Sequence, residues 1–297
     1  MRIVVVANPT SGRGKGAKLI PRVEERLHSL GLDFAMRISA SADEPERLAR
    51  KAAEDGAGVV AALGGDGHVG LCANGLMGTE AALAVIPAGT GNDFARHLGL
   101  DRKDPIAAAA ILAHPVTRRL DVVGVSMPER RRYYVNVGGT GFDSDANELA
   151  NRTRMLKGTA KYVYAVLVTL ARFRAGRFQL VVDGVEHDVS GMMVAVGNGV
   201  SYGGGMRITP NARSDDGLLD LTVVGEVSKP EFVRTFPKVF RGTHLSHPAV
   251  TSMRGREISI SADRPFEVYG DGEDLGPLPA TFAVVPSALD VVVPAAG

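Results

Sequence analysis

Cysteine and an excess of one charge are both scarce in this sequence, and each scarcity excludes a class of protein. The 297 residues include one cysteine, Cys72, so no disulfide can form within the chain, and a reducing, cytoplasmic compartment is expected. With 34 basic and 33 acidic residues the net charge is +1, whereas a nucleic-acid-binding domain is usually strongly basic. We therefore expect no nucleic-acid partner.

Long apolar runs are also missing. No run approaches the roughly 20 residues of a membrane-spanning helix, and no basic and apolar secretion signal precedes the first predicted strand. Any membrane contact is therefore expected to be peripheral. What the sequence has in excess is glycine, with 36 residues, or about 12% against a usual share of about 7%.

The first part of the chain alternates apolar runs with helical patterns. Strands are predicted at 3–7, 35–38, 59–63 and 82–86, and helices at 16–30, 44–54, 69–76 and 93–98. This alternation is typical of a mostly parallel sheet with right-handed crossovers. It predicts an α/β domain over residues 1–118.

The second part of the chain has a different pattern. Short strands are predicted at 121–125, 133–137, 178–182, 192–196, 218–224, 257–261 and 266–269, with helical segments only at 147–173 and 230–241. The pattern predicts an antiparallel β-sandwich or barrel over residues 119–297. The last ten or so residues are expected to return to the first domain.

Three glycine-rich loops each follow a predicted strand. They are Asn8–Gly16, Gly64–Gly67 and Pro87–Asp93. Glycines after a strand allow backbone N–H groups to converge on anionic oxygens, and the following helix adds a favourable dipole. Asp66 and Asp93 would repel a phosphate unless a cation intervenes, and Mg²⁺ is the natural cation for carboxylates and phosphates together. The loops predict a phosphate site with Mg²⁺.

Two other nucleotide-binding patterns fit less well. Gly12, Gly14 and Ala17 have the spacing of a dinucleotide-binding fingerprint, with Asp33 about twenty residues further on. Four residues separate that fingerprint from its strand, however, and it leaves the other two loops unexplained. The G-x-x-x-x-G-K-[ST] pattern of a P-loop does not occur in the sequence.

The ordered set of motifs resembles the catalytic domain of diacylglycerol kinases, shared with sphingosine kinases and bacterial lipid kinases. The resemblance rests on the three loops and on later segments in the same order along nearly the whole chain. Those segments are 138–143, 197–199, 203–205, 215–220 and Asp271-Gly272-Glu273.

The resemblance implies an ATP-dependent lipid kinase, with a nucleotide-binding α/β domain, a lipid-binding β-sandwich domain and diacylglycerol as the acceptor. Glu273 would be the general base, and Asp66 would serve the Mg²⁺·ATP complex. The implied ATP site consists of Asn8, Ser39, Gly64, Gly65, Asp66, Gly67, His68, Gly70, Thr90, Asn92 and Asp93. A structural Mg²⁺ would be held by the Asp216 side chain and the backbone carbonyls of Arg213 and Leu218.

The chain departs from the family pattern directly after Gly67. His68, Gly70 and Leu71 stand where the family usually has Thr, Asn and Glu. His68 could donate to a phosphate or be an exposed turn residue. The departure keeps open a nonenzymatic nucleotide- or lipid-binding protein, and an NAD kinase, which shares the Gly-Gly-Asp-Gly turn, is a further alternative.

A basic stretch lies between Glu148 and Asp183. It contains no acidic residue and seven arginines or lysines, which flank the apolar segment 162–170. Such a stretch predicts either contact with the inner face of the membrane or a helix with a solvated basic rim. Lipid and ATP are the expected partners. The sequence does not specify an oligomeric state, and a homodimer is kept as an option.

Overall fold

The chain divides into two units. The structure is a computed structural model, which describes residues 1–41, 43–142, 144–146, 149, 164–165, 168–170 and 172–295. The first unit is Met1–Val122 together with the chain from Val285 onward, and the second is Val123–Val284.

The first unit is a parallel β-sheet whose strands alternate with helices. Its elements are β1 (Ile3–Ala7), α1 (Ser11–Ser29), β2 (Phe34–Ile38), α2 (Glu44–Glu54), β3 (Val59–Gly64), α3 (Asp66–Leu76), β4 (Ala82–Pro87), α4 (Asp93–His97) and α5 (Pro105–Ala110), followed by a 3₁₀ turn, Ile111–Ala113. β1 pairs in parallel with both β2 and β3, and β3 pairs with β4, so the order is β2-β1-β3-β4. The predicted α/β fold of this region is confirmed.

Burial explains why these strands are apolar throughout. Every residue of β1, β3 and β4 is buried, as expected for a parallel sheet covered on both faces. Leu19, Val23 and Leu27 form the apolar stripe of α1 and belong to the same core cluster as the strands.

The second unit is antiparallel. Its strands, some of which extend beyond it, are β5 (Val116–Ser126), β6 (Arg131–Tyr134), β7 (Val137–Gly141), β8 (Gly176–Val182), β9 (Val185–Gly197), β10 (Leu219–Gly225), β11 (Val250–Gly255), β12 (Glu257–Ala262), β13 (Glu267–Gly270), β14 (Glu273–Pro277) and β15 (Ala280–Val293). The strand order is β14-β13-β7-β9-β8-β12-β15, and β10 pairs with β9 and β11. The predicted β-sandwich is confirmed.

Two apolar clusters fill this unit. One cluster contains inward residues of the strands, such as Phe178, Ile258 and Phe282. The other contains Phe142 and Phe232 and lies where α6 (Lys229–Thr235) and the 3₁₀ turns Phe236–Arg241 and Thr243–Ser246 meet the sheet. A cavity lies within the second cluster.

Several predicted elements differ from the structure. The strand predicted at 133–137 is two strands, since Val135 and Asn136 leave the ladder and donate their N–H groups to the Asp271 carboxylate. The helix predicted at 230–241 is α-helical only to Thr235, and Pro237 lies in the 3₁₀ turn that follows. α5, β11, β14 and β15 were not predicted from the sequence.

The segment predicted to contact the membrane lies largely outside the described residues. Of the predicted helix 147–173, the structure describes only residues 149, 164–165, 168–170 and 172–173. Among the described residues, no helix is long and apolar enough to cross a membrane.

Candidate functional site

The three glycine-rich loops lie at the carboxyl ends of three neighbouring strands. They follow β1, β3 and β4, which are adjacent in the order of the sheet. The strand order reverses between β1 and β3, and in open α/β sheets ligands bind at the carboxyl edge beside such a reversal. The position of the loops is therefore that of a ligand site.

The loops touch one another through glycines. A Cβ on Gly12 would lie 2.2 Å from the Ala88 carbonyl oxygen, and a Cβ on Gly89 would lie 2.6 Å from the Cα of Gly65. Any larger residue at these positions would push the loops apart. The glycine excess of the sequence is used here for close backbone approach.

The first loop is a tight turn held by Asn8. The Asn8 Oδ1 accepts hydrogen bonds from the Thr10 backbone N–H at 2.9 Å and from the Thr10 hydroxyl at 2.7 Å. Gly12, Arg13 and Gly14 all have positive φ, so the first turn of α1 is not regular helix. Ser39, which follows β2, is buried, and its hydroxyl donates to the Ala7 carbonyl.

The second loop passes directly into α3. The helix begins at Asp66, three residues before the predicted start, and Gly65 is its N-cap. Asp66 and Gly67 thus lie in the first turn, where backbone N–H groups have no partner within the helix and the dipole favours an anion. Gly70 lies further along the helix and is buried, and its carbonyl accepts from the Asn74 side chain.

Asp66 is a carboxyl group with a strongly altered pKa. Burial, together with the nearby charge of Asp93 and against the opposing effect of backbone N–H donors, raises its pKa to about 6. One of these donors is the Phe94 N–H, at 3.1 Å from Asp66 Oδ1. Asp93 is 2% exposed and forms an ion pair of 2.6 Å with Arg96. Two neighbouring carboxyl groups, one of them Asp66 with its raised pKa, suit a divalent cation.

The third loop is closed by Asn92. Its side chain accepts from the Gly89 N–H at 2.8 Å and donates to the Gly89 carbonyl at 3.1 Å, and its backbone is left-handed. The amide group of Asn92 therefore shapes the loop. Thr90 is exposed at the tip of the loop.

His68 is not the exposed turn residue that the sequence allowed. It is 6% exposed, and its ring occupies the space beside Gly64, where a Cβ would lie 2.4 Å from His68 Cδ2. Its Nε2 lies 2.9 Å from the Val6 carbonyl oxygen, which requires an N–H donor on Nε2. Burial lowers the pKa of His68, so the neutral ring links α3 to β1.

Glu273 stands at the start of β14 in the second unit, after the turn Gly270–Gly272. The residue as a whole is exposed, but neighbouring atoms displace part of the water around its carboxyl group. This desolvation raises the pKa of Glu273, and the charge of Asp274 adds to the effect. The turn is fixed by Asp271, whose carboxylate accepts from the N–H groups of residues 135–137 at 2.8 to 3.3 Å. Glu273 is thus held by a buried anchor two residues away.

In the turn at 213–218, the Asp216 carboxylate that the resemblance assigns to a structural Mg²⁺ is bonded to protein groups. Asp216 Oδ1 accepts from the Leu218 N–H at 3.1 Å, and Asp216 Oδ2 is hydrogen bonded to Arg254. Arg254 also pairs with Asp220 at 3.2 Å. The bonds to Leu218 and Arg254 engage both oxygens of the Asp216 carboxylate. Among the described residues, no group of three or more His, Cys, Asp or Glu side chains could hold a metal.

The sequence did not reveal the roles of Asp271 and Arg254. Asp271 binds backbone groups about 135 residues earlier in the chain, and Arg254 faces Asp220 through the register of β10 and β11. Neither partner follows from local spacing. The one signal was the Asp-Gly pair at 271–272, which indicated a turn.

An apolar cavity lies within the second unit. Aromatic and aliphatic side chains line it, with two histidines, and the main contributors are Phe142, Met193, Tyr202, Met206, Ile208, Phe232, Phe236, Val239, His244 and His247. Ligand pockets for apolar molecules have this composition, with few polar groups. The cavity is suited to hydrocarbon.

Comparisons with known proteins identify relatives over the whole chain. The profile of the diacylglycerol kinase catalytic domain matches residues 2–125, and that of the YegS C-terminal NAD kinase beta sandwich-like domain matches residues 136–293. A Mycobacterium tuberculosis protein named diacylglycerol kinase is 37% identical over 298 residues, covering 100% of this chain and 96% of that protein. A Bacillus subtilis protein of the same name is 27% identical, covering 99% and 96%.

A solved structure has the same fold. A structure described as a diacylglycerol kinase from Bacillus anthracis superposes with a TM-score of 0.76 over 99% of this chain and 97% of that chain, at 22% identity. This similarity supports the two-part architecture of the chain.

Proposed function

Since this chain belongs to the diacylglycerol kinase catalytic domain family and is a lipid kinase, we propose that its acceptor is diacylglycerol and its phosphoryl donor is Mg²⁺·ATP. The observation that carries the nucleotide part is the contact of three glycine loops at one sheet edge, with Asp66 and Asp93 beside them. The names of the curated relatives support diacylglycerol as the acceptor.

Nucleotide binding is proposed for the loops of the first unit. Backbone N–H groups of the loops and of the first turn of α3 would bind phosphate oxygens, because they are donors that need no side chain. Asp66 and Asp93 would hold the Mg²⁺ that arrives with ATP, which offsets the charge of the phosphates. Asn8, Asn92 and His68 would act by fixing the loops, since their side chains bind the loops themselves or β1.

Glu273 is proposed as the base. The lipid hydroxyl oxygen forms a bond to the γ-phosphorus, the bond from that phosphorus to the β,γ-bridging oxygen breaks, and ADP leaves. The hydroxyl proton passes to the Glu273 carboxylate. A carboxyl group with a raised pKa is a stronger base than an ordinary glutamate, and Asp271 keeps it in place.

The apolar cavity of the second unit supports a lipid acceptor. The cavity is small, about 70 Å³, so it would take only the end of an acyl chain, which would pack against Phe142, Ile208 and Phe232. Burial of hydrocarbon contributes about 0.8 kcal/mol per CH₂ group, so a few methylenes are enough for selective binding. We propose that the protein acts as a cytoplasmic enzyme at the inner face of the membrane.

The test is transfer of radiolabelled γ-phosphate from ATP, with Mg²⁺, to diacylglycerol, ceramide, sphingosine and polyprenol in mixed micelles, with NAD as a soluble control. We expect label in diacylglycerol. Label in another lipid would show that this lipid, and not diacylglycerol, is the acceptor. Label only in NAD would show that the protein acts as an NAD kinase. ATP binding without label in any acceptor would favour a nonenzymatic binding protein.

Two variants test the proposed roles. Glu273→Gln should lower transfer by about 100- to 10,000-fold while ATP affinity is kept. Asp274→Asn is the matched control: it keeps the base and removes only the smaller cause of its raised pKa, so transfer should fall far less. Near-normal transfer by Glu273→Gln would show that another group takes the proton.

A further inference from the structure

Asn136 contacts two parts of the second unit to which the proposed function gives separate roles. Its backbone N–H donates to Asp271 Oδ1 at 3.1 Å, and its side-chain Nδ2 donates to the Ser201 carbonyl oxygen at 2.5 Å. Asp271 anchors the turn before Glu273, and Ser201 comes directly before a residue of the apolar cavity wall. All of these residues belong to the second unit. One buried residue is therefore bonded both to the anchor of the base and to the chain that leads to the cavity.

Segment 198–208 runs from Asn136 to the wall of the cavity. At its start, the N–H groups of Asn198 and Gly199 donate to the Asn136 backbone carbonyl at 2.9 and 2.8 Å. Further along, residues 202–206 form a tight turn closed by backbone hydrogen bonds of 3.0 and 3.1 Å. Three side chains of the segment line the cavity: Tyr202, Met206 and Ile208. An acyl chain that packs on this wall would therefore restrain the segment as a whole.

The side-chain amide of Asn136 fits a linking role better than a packing role. The residue is 2% exposed, and its Oδ1 has no hydrogen-bond partner among the described residues. A buried acceptor without a partner costs stability, and an aliphatic side chain would avoid that cost. The amide also needs a glycine at position 199, since a Cβ on Gly199 would lie 1.8 Å from Asn136 Oδ1. The amide is therefore best explained by the bond that its Nδ2 makes.

We propose that Asn136 is a positioning residue, through which an acyl chain in the apolar cavity helps to hold the base Glu273 in place. The acyl chain would restrain segment 198–208, and the hydrogen bond from Asn136 to that segment would extend the restraint to residues 135–137. These residues donate three N–H groups to Asp271, two residues before Glu273. Binding of the remote chain would then raise the rate of phosphoryl transfer as well as the affinity. The proposal rests on the proposed function, since it takes Glu273 as the base.

The test compares dihexanoylglycerol and dipalmitoylglycerol, which differ only in acyl length, as acceptors in mixed micelles at saturating ATP. In the wild type we expect the longer acceptor to have the higher kcat, because its chain reaches the cavity. In Asn136→Ala, kcat for the longer acceptor should fall about 10- to 100-fold, towards the value for the shorter one, while the difference between the two KM values is kept. A variant that only loses stability would lower both kcat values alike. Asn136→Ser, which also lacks the amide donor, should give the same result and replaces Asn136→Ala where that variant does not fold.

The matched control is Thr222→Val. The buried Thr222 hydroxyl donates to the Ile208 carbonyl at 3.0 Å, so this variant removes a hydrogen bond of segment 198–208 and leaves both contacts of Asn136 intact. Its kcat should still depend on acyl length. An equal loss of that dependence in Thr222→Val would mean that any loosening of the segment has this effect, and would overturn the proposal. So would a wild-type kcat that is the same for both acceptors.

Glu273→Gln separates the failure of this proposal from the failure of the proposed function. Added to Glu273→Gln, Asn136→Ala should lower kcat by less than about threefold, because a residue that acts through the base has no further effect once the base is removed. Losses that multiply would overturn the positioning role of Asn136 alone. Near-normal transfer by Glu273→Gln would overturn the base, and this proposal with it.

Discussion

At the scale of a single residue, Asp66 shows how a side chain of the proposed nucleotide site lowers the stability of the folded protein. Its raised pKa means that the folded protein holds a proton more tightly than the unfolded chain does. The folded state therefore loses stability as the pH rises from 3.8, the ordinary value, through about 6, and the loss is complete above that range. A bound Mg²⁺ would offset this cost, which is consistent with a site built for a cation.

Asp66→Asn is therefore expected to stabilise the protein at neutral pH. The gain is at most about 3 kcal/mol, from roughly two pKa units at 1.36 kcal/mol each, and it should vanish once the pH falls below the ordinary aspartate value. Urea unfolding over this pH range measures it, in the absence of nucleotide and Mg²⁺. Asp33→Asn, at an exposed position, is the control and should change little. A gain that does not depend on pH would contradict the explanation.

At the scale of elements, the turn before β10 depends on an arginine from β11. Arg254 lies directly opposite Asp220 in the ladder of β10 and β11, and it also binds Asp216. Burial raises the pKa of Asp220, and Arg254 opposes this effect. The arginine thus supplies the positive charge that a metal would otherwise supply.

The prediction is that this turn needs no Mg²⁺. Thermal unfolding with EDTA and with millimolar Mg²⁺, without nucleotide, should show the same Mg²⁺ response in the wild type and in Asp216→Asn. Arg254→Met leaves two adjacent carboxylates, so its Tm should fall in EDTA and be partly restored by Mg²⁺. A larger Mg²⁺ response in the wild type than in Asp216→Asn would show that the turn does bind a metal. An Arg254→Met protein with an unchanged Tm would show that the arginine is not the counter-charge.

Prediction from the sequence succeeded where the physical cause is local. The apolar runs of β1, β3 and β4 have the period and length of buried strands, and the glycine loops after them follow from the same pattern. It failed where turn-like residues lie inside an element. The start of α3 was missed because Gly65 to Gly67 resemble a turn, and β15 was missed because it contains Pro286 and a left-handed Ser287.

Among the site residues, local motifs predicted some roles, whereas other roles depend on tertiary contacts. Asp66 and Glu273 could be proposed from their motifs, while the burial of His68 depends on the space that Gly64 leaves beside it. Asp271 acts on backbone groups that only the folded chain brings near it. Local pattern therefore predicts which loops carry the chemistry, and tertiary contacts decide which side chains act as anchors.

At the scale of the whole molecule, the proposed function assigns Asp66 and Glu273 to the same phosphoryl transfer. If both act on one transition state, removing either one already removes most of the catalytic advantage, and the losses do not multiply. Two residues with independent effects, for example on stability, would behave differently. The fold-losses of the two single variants would then multiply in the double variant.

The double variant Asp66→Asn/Glu273→Gln should therefore transfer phosphate within about threefold of the slower single variant. The measurement is kcat for γ-phosphate transfer to diacylglycerol, at saturating ATP and below the unfolding temperature of each variant. The matched control combines Asp66→Asn with Leu180→Ala, which truncates a core side chain of the second unit and should act only through stability. Losses that multiply in Asp66→Asn/Glu273→Gln would mean that the two carboxyl groups do not serve the same step, and that one of them is not part of the catalytic machinery.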